Sequence, residues 1–211
     1  MDQSGAISAK ILMIRHGPTA WNTHHIIQGR RDIELSPEGR ARVAAWTIPS
    51  DFTDAQVFSS PLSRALETAK ILMPQKVPIV DDRLIEMDWG QFEGKTLDGL
   101  RAKSPDMMAA NEAKGYRFQP PGGETPLSVS NRLHAFLLTL RHDSIVVTHK
   151  GVMRALMILA CDWQMTSKPP IKLGLDDGLI FELVQRGAVT SSDDQVVKPP
   201  VIANLRKLAL A

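Results

Sequence analysis

Cysteine is almost absent from this 211-residue chain, in which Cys161 is the only one. A single thiol cannot form an intrachain disulfide, so nothing in the sequence points to an oxidising compartment. Because Cys161 follows an apolar stretch, we expect it to be buried and inert rather than a nucleophile.

Long hydrophobic runs are also missing. A membrane span needs roughly 20 apolar residues, and Arg154 interrupts the longest candidate, near 152–160. The first ten residues, MDQSGAISAK, lack the basic and then apolar pattern of a signal peptide. The sequence therefore predicts a soluble, cytoplasmic protein with no membrane partner.

Neither sign of charge is in clear excess. The chain has 25 Lys and Arg against 23 Asp and Glu, a formal net charge of +2. Without a long basic stripe, this balance does not predict a nucleic-acid partner. The 43% hydrophobic and 23% charged residues are ordinary for a globular protein. We expect a single domain over 1–211, with a lid-like insertion at about 97–124.

Short apolar segments alternate with longer amphipathic ones along the chain. The short segments predict strands because they are β-branched or mostly apolar and are followed by turn residues. The predicted strands are 9–14, 56–59, 144–148, 179–184 and 201–205.

Three hydroxyl–proline pairs predict helix starts: Ser36-Pro37, Ser60-Pro61 and Thr125-Pro126. A further helix is expected at about 152–160. Alternating strands and helices indicate an α/β fold, a three-layer sandwich with a mostly parallel central sheet flanked by helices. Ligands bind such sheets at the carboxyl ends of the strands.

Two histidines follow two of the predicted strands, His16 after the first and His149 after the third. Arg15 lies beside His16, and Arg64 falls in the first turn of a predicted helix. Two guanidinium groups, two imidazoles and a helix N-terminus would suit a dianionic phosphate. The other histidines are expected to be structural or surface groups without a metal: His24, His25, His134 and His142.

The motifs around these residues resemble the histidine phosphatase superfamily, also called the phosphoglycerate mutase-like family. Arg15-His16-Gly17 is followed by four further segments that continue the family pattern in order. The matching segments are Thr19-Ala20-Trp21-Asn22, Gln28-Gly29-Arg30, Leu35-Ser36-Pro37-Glu38-Gly39 and Ser59-Ser60-Pro61-Leu62-Ser63-Arg64-Ala65. Asp32 also matches the pattern, which is completed by the segments Glu86-Met87-Asp88-Trp89-Gly90-Gln91-Phe92-Glu93-Gly94, Pro121-Gly122-Gly123-Glu124-Thr125 and Thr148-His149-Lys150-Gly151-Val152-Met153-Arg154.

The resemblance implies a phosphomonoester hydrolase of the histidine acid phosphatase type, independent of metal and cofactor. His16 would be the nucleophile that becomes phosphorylated, and Arg15, Arg64 and His149 would hold the phosphoryl oxygens. A hydrogen bond should fix one ring nitrogen of His16 as a donor, and we expect His149 to stay protonated beside the anion. The remaining substrate- or phosphate-binding residues would be Asn22, Gln28, Gly29, Lys150 and Gly151, the last through a backbone donor.

Glu86 would protonate the leaving group, which requires a raised pKa. Partial burial near Met87 and Trp89 would supply that shift. Asp88 and Glu93 are the rival carboxylates, and we favour Glu86 over both because it matches the acid of the family motif.

Three functions remain open within this resemblance: a phosphatase, a mutase, and a catalytically silent module that binds a phospho-ligand or protein. Gln28 favours the phosphatase, because mutases usually carry a small hydroxyl residue there. The segment 97–119 also lacks the adjacent arginine pair of mutases. Pro18 and Lys150 depart from the family pattern, and Lys150 could contact a second anionic group.

The substrate is left open as a small phosphorylated molecule or a phosphoprotein. Met107, Met108, Tyr116 and Phe118 lie in the insertion, where they would either recognise a substrate or simply pack on the core. No oligomeric state is indicated.

Overall fold

A computed structural model describes residues 7–185 and 201–211. Its central feature is a six-stranded sheet with the order β3-β2-β4-β1-β5-β6. The strands are β1 (Ile7–Arg15), β2 (Gln56–Ser59), β3 (Ile79–Val80), β4 (Ser144–Thr148), β5 (Asp177–Gln185) and β6 (Val201–Ala209). All five predicted strands are present, and β3 is an additional strand.

The sheet is parallel from β3 to β1 and antiparallel beyond it. Strand β4 lies between β1 and β2 and pairs in parallel with both. Strand β5 runs antiparallel to β1, and β6 runs antiparallel to β5. The expected α/β fold with a mostly parallel central sheet is therefore confirmed, and the carboxyl ends of β1, β2 and β4 lie at the same edge.

Seven α-helices lie in the described residues. They are α1 (Ala20–Thr23), α2 (Pro37–Ala44), α3 (Ser63–Leu72), α4 (Leu97–Lys103), α5 (Pro105–Glu112), α6 (Pro126–Leu137) and α7 (Lys150–Cys161). Helices α2 and α6 begin as predicted, because the Ser36 hydroxyl accepts from the Gly39 amide and the Thr125 hydroxyl from the Ser128 amide.

The predicted start of α3 at Ser60-Pro61 is wrong. The helix begins at Ser63, and a carboxylate from another loop satisfies its first amide: Asp32 accepts from Ser63 N at 2.8 Å. The Ser60 hydroxyl lies 2.7 Å from Nε2 of His149 and does not cap a helix.

Side chains of β1 alternate between two cores, one on each face of the sheet. Ile11 and Met13 pack in a cluster that includes the apolar sides of α6 and α7. Leu12 and Ile14 pack on the other face, where α2 and α3 contribute. This period of two follows from the pleat of a strand, and it produces the three layers.

The insertion consists of α4, α5 and a short 3-10 turn, Gly115–Arg117. Met108 and Phe118 are buried in the main core, so these two residues pack as structural groups. Met107 remains 47% exposed. Closure of this segment over the site stays a prediction.

The expectation of a buried Cys161 is wrong. This residue ends α7 and is exposed, because the apolar stripe that precedes it has turned away by the last helical position. None of the described helices has the length and apolar character needed to cross a membrane.

Candidate active site

The parallel pairing of β1 with β4 brings the two predicted histidines together. Arg15 is in register with Thr148, and the amide of His16 donates to the Thr148 carbonyl at 2.8 Å. As a result the rings of His16 and His149 lie 5.2 Å apart between centroids, and both residues are buried.

The protonation of His16 follows from its backbone contact. Its Nδ1 lies 2.7 Å from the carbonyl oxygen of Gly17. A carbonyl can only accept, so Nδ1 carries the proton and Nε2 keeps a free lone pair. Burial, together with the nearby Arg15 and Arg64, holds the pKa of His16 well below its usual range. His16 is thus a neutral imidazole with an unprotonated nitrogen.

Arg64 is fully buried at the second position of α3 and is held by carbonyl groups. Its two terminal nitrogens donate to the carbonyls of Arg31 and Gly29, each at 2.7 Å. Gly29 has φ of +54°, and a Cβ there would lie 1.9 Å from the Glu93 carboxylate. Glycine is therefore required for the turn that presents its carbonyl to Arg64.

Buried polar atoms without partners are concentrated in this region. Among the described residues, five buried side-chain nitrogen or oxygen atoms lack a hydrogen-bond partner, and four of them belong to predicted site residues. These four are Arg15 Nε, Arg64 Nε, Gln28 Oε1 and His149 Nδ1. Burial also lowers the pKa of both guanidinium groups. Such groups are usually satisfied in folded proteins. The unpaired nitrogens of Arg15 and Arg64 are charged donors and favour an anionic ligand, whereas Gln28 Oε1 can only accept a hydrogen bond.

Burial, then His16 and the two arginines, holds the pKa of His149 well below its usual range. A bound anion would act in the opposite direction and raise that pKa. The expectation that His149 stays protonated beside the anion therefore remains a prediction.

Glu86 has the environment expected of a proton donor. Burial raises the pKa of its carboxyl group, although the amides of Met87 and Gly151 and the two arginines act in the opposite direction. The Met87 amide donates to Oε1 at 2.8 Å, and the Gly151 amide donates to Oε2 at 3.2 Å. A Cβ at Gly151 would lie 2.2 Å from Oε1, so only glycine permits this approach.

This contact corrects one expectation about Gly151. Its amide was predicted to donate to the phosphate, and in the structure it donates to Glu86 instead. Gly151 therefore positions the carboxyl group, although it still lines the cavity.

The two rival carboxylates are occupied elsewhere. Asp88 accepts from the Gly90 amide at 2.7 Å, and Glu93 accepts from the Arg30 amide at 2.8 Å. Neither of them lines the cavity that contains His16 and Glu86. Their roles are to hold loops, which leaves Glu86 as the carboxyl group of the site.

The cavity has a volume of about 440 Å³. Asn22, Gln28, Gly29 and Lys150 line it together with Arg15, His16, Arg64, Glu86 and Gly151. His149 does not line the cavity and lies behind it, against the ring of His16. The Asn22 side-chain oxygen accepts from the Thr19 amide at 2.9 Å, which leaves its amide nitrogen as the group that can donate to a ligand.

Eight lining residues were not among the predicted site residues, and three of them carry an aromatic ring or a cation: His25, Trp89 and Arg154. The other five are Ile26, Ile27, Leu173, Gly174 and Leu175. His25, expected to be an ordinary loop residue, has φ of +54°. Arg154 could have been found from its spacing, because it follows Lys150 by four positions on one helix and so lies on the same face.

The fold and the cavity together define an α/β protein whose strand ends hold a neutral histidine among cations. The chain belongs to the histidine phosphatase superfamily (branch 1), whose family model matches residues 11–187.

Named relatives in this superfamily include both phosphatases and mutases. The chain is 30% identical over 156 residues to phosphoserine phosphatase 1 of Hydrogenobacter thermophilus, which covers 70% of this chain and 74% of that protein. It is 27% identical over 188 residues to a 2,3-bisphosphoglycerate-dependent phosphoglycerate mutase of Methylobacterium radiotolerans, covering 82% and 89%. A mycobacterial glucosyl-3-phosphoglycerate phosphatase in complex with VO3 has a similar structure, with a TM-score of 0.67, 25% identity and coverage of 95% and 98%.

Proposed function

We propose that this protein is a metal-independent phosphomonoester hydrolase that works through a phosphohistidine at Nε2 of His16. The observation that carries the proposal is the hydrogen bond from Nδ1 of His16 to Gly17, beside two buried arginines with unpaired nitrogens. A nucleophile needs a free lone pair, and a migrating phosphoryl group needs fixed positive charge around it.

In the first step, Nε2 attacks phosphorus in line with the ester oxygen. The new P–N bond forms as the P–O bond to the leaving group breaks, and Glu86 gives its proton to the departing alkoxide. Arg15, Arg64 and His149 hold the equatorial oxygens, and Asn22 contributes a further donor. The raised pKa of Glu86 keeps the proton available for this transfer.

In the second step, the Glu86 carboxylate takes a proton from water. The hydroxide oxygen attacks phosphorus, the P–N bond breaks, and inorganic phosphate leaves. His16 is again neutral and Glu86 again carries a proton, so the cycle closes without a metal or cofactor.

Hydrolysis is favoured over phosphoryl return by the residues at the cavity. Gln28 lines it at the position where mutases usually have a small hydroxyl residue. The insertion has two arginines that are not adjacent, Arg101 and Arg117. Glu112 binds Arg101 with Nε and Oε1 2.9 Å apart. The insertion therefore does not provide the free cationic pair that would hold a mutase substrate for return of the phosphoryl group.

The size of the cavity favours a small phosphomonoester as substrate. Small-molecule sites usually have volumes of about 300–1,000 Å³, and this one measures about 440 Å³. The phosphoserine and phosphoglycerate compounds named for the relatives are of this size. A panel of phosphomonoesters, with a phosphoserine peptide included, would identify the class.

Release of p-nitrophenol from p-nitrophenyl phosphate, in the presence of a metal chelator, tests the proposed function. We expect turnover by the wild type and a loss of several powers of ten in His16→Ala. His142→Ala is the matched control, since that histidine is exposed and lies outside the cavity.

Two results would contradict the proposal. Absence of turnover in both wild type and His16→Ala would favour a binding module. Transfer of the phosphoryl group to an added hydroxyl compound in place of release of inorganic phosphate would favour a mutase.

A further inference from the structure

Two cations of α7 line the cavity in addition to the phosphate-binding arginines. Lys150 is the first residue of α7, and Arg154 lies four residues later on the same helical face. This spacing places Arg154 about 6 Å further along the helix axis from the strand end that carries His149.

Neither cation is neutralised by the protein. In residues 7–185 and 201–211, no carboxylate lies within ion-pair distance of Lys150 or Arg154. Arg154 is half-buried, with its guanidinium carbon 5.3 Å from the centre of the Trp163 ring. That contact fixes the side chain without removing its charge.

A second, mostly apolar cavity of about 260 Å³ adjoins the first. Trp89, Gly151 and Arg154 line both cavities, so Arg154 stands where they meet. Arg101, the other arginine of the second cavity, is paired with Glu112. Arg154 is therefore the cation at the junction of the two cavities, and among the described residues no carboxylate lies within ion-pair distance of it.

The position of Lys150 is electrostatically unfavourable in the absence of a ligand. It lies at the positive end of the α7 dipole, and no acidic residue is present in that first turn. Burial, then Arg15 and Arg154, lowers the pKa of its ammonium group. A nearby anion would remove this cost.

Charge balance indicates how many negative charges the cavity can accept. A dianionic phosphoryl group offsets the charges of Arg15 and Arg64. Lys150 and Arg154 then remain, and the only carboxyl group among the described lining residues is Glu86. Because the pKa of Glu86 is raised, it offsets little of the remaining charge.

We propose that Lys150 and Arg154 bind a second anionic group on the substrate, a carboxylate or a second phosphate joined to the phosphoester by a short carbon chain. The substrate class is thus phosphomonoesters with an acidic tail. This inference rests on the proposed function, in that the ligand is a phosphomonoester held at His16.

Matched substrate pairs separate the tail from the phosphoester. 3-Phosphoglycerate and glycerol 3-phosphate differ in one group, which is a carboxylate in the first and an uncharged hydroxymethyl group in the second. Propane-1,3-diol bisphosphate and its monophosphate differ by a phosphate. For at least one pair, we expect wild-type kcat/KM to be about tenfold or more higher for the substrate with the acidic tail, as a charge-assisted hydrogen bond would give.

Variants of the two cations should reduce this preference. The ratio of kcat/KM within a pair should fall severalfold in Arg154→Met, less in Lys150→Met, and to near one in the double variant. Arg154→Lys should retain part of the preference. The control Arg101→Met removes a cation that Glu112 already neutralises and should keep the ratio.

Because Arg154 also packs on Trp163, Arg154→Met removes a packing contact as well as a charge. If that variant fails to fold, Lys150→Met still tests the inference. A binding measurement by calorimetry on His16→Ala compares 3-phosphoglycerate with glycerol 3-phosphate without any turnover. Tighter binding of 3-phosphoglycerate than of glycerol 3-phosphate would support a site for a second anion at Lys150 and Arg154 (the second-anion site), even if hydrolysis were absent.

The outcomes distinguish the two proposals. Wild-type turnover with equal kcat/KM within both pairs, or ratios that do not change in Lys150→Met and Arg154→Met, would refute the second-anion site and leave the hydrolase intact. Preference in one pair only identifies the tail as a carboxylate or a phosphate. No turnover and equal binding within the pairs would refute both proposals.

Discussion

Glu86 illustrates how single residues set the chemistry of this site. Two backbone amides hold its carboxyl group, and burial outweighs them to raise its pKa. The balance depends on Gly151, whose missing side chain leaves the space for the carboxyl group. The carboxyl group thus keeps a raised pKa although Arg64 and Arg15 act to lower it.

Glu86→Gln should affect substrates according to their leaving groups. An alkoxide needs a proton in order to leave, whereas p-nitrophenolate leaves readily without one. We expect kcat/KM to fall about 10²–10⁴-fold for glycerol 3-phosphate and much less for p-nitrophenyl phosphate. Steady-state assays on both substrates provide the measurement, and equal losses would exclude Glu86 as the proton donor.

The pH dependence of kcat/KM follows from the two shifted groups. His16 must be neutral, and its pKa lies well below the ordinary 6.5, so the acid limb should lie below that value. Glu86 must be protonated, and its pKa lies above the ordinary 4.5, so activity should decline as pH rises through the raised value. A profile recorded on Glu86→Gln should lose the alkaline limb; its persistence there would assign it to another group.

At the scale of residues, the sequence predicts the groups that motifs and strand ends specify. His16, His149, Arg15, Arg64 and Glu86 lie together as the pattern indicates. The packing of individual side chains is harder to predict from the sequence, because it depends on neighbours that are distant along the chain. This explains the exposure of Cys161, the Gly151 amide that bonds to Glu86, and the omission of Arg154 from the predicted site.

At the scale of elements, the contacts at the start of α3 determine the position of the Arg64 side chain. Asp32 accepts from both the amide and the hydroxyl of Ser63, at 2.8 and 2.7 Å. Arg64 is the next residue, and its side chain reaches back to the same loop at Arg31. Loop and helix therefore fix the guanidinium group jointly.

Asp32→Ala should weaken both stability and activity. Loss of the cap should lower the free energy of unfolding by about 1 kcal/mol, and the displaced Arg64 should lower kcat/KM by about tenfold. Urea denaturation and p-nitrophenyl phosphate assays provide the two measurements. Thr125→Ala is the control, because it removes the cap of α6, which carries no site residue, and should cost similar stability with little loss of activity.

Elements with a strong local pattern were predicted well, and those that depend on other parts of the chain were not. The strands β2 and β4 match their predicted bounds because their apolar runs are bracketed by polar residues. The strand β3 has two exposed residues and no alternating pattern. The start of α3 was misplaced because the Ser60 hydroxyl contacts His149, a partner 89 positions away.

At the scale of the whole molecule, the site lies at the edge of the sheet where the parallel strands β1 and β4 end. His16 and His149 are both buried there, and burial holds the pKa of each well below its usual range. Their ionisation is therefore coupled to the stability of the entire fold.

Stability should fall as the solution becomes acidic. The unfolded chain binds protons on these two histidines near the ordinary 6.5, and the folded chain binds them only at much lower pH. Protonation thus favours unfolding, so the free energy of unfolding should decrease as pH falls below about 6.5. Urea denaturation at a series of pH values measures this slope, which should be smaller in His149→Gln; an equal slope in that variant would contradict the coupling.

The contact between His16 and Gly17 has one more consequence. Because the carbonyl of Gly17 retains the proton on the ring nitrogen nearer the backbone, any phosphoramidate would be the τ regioisomer and not the π form. The two isomers carry phosphorus on different ring nitrogens, so an NMR spectrum of a trapped sample would show which side of the imidazole had reacted.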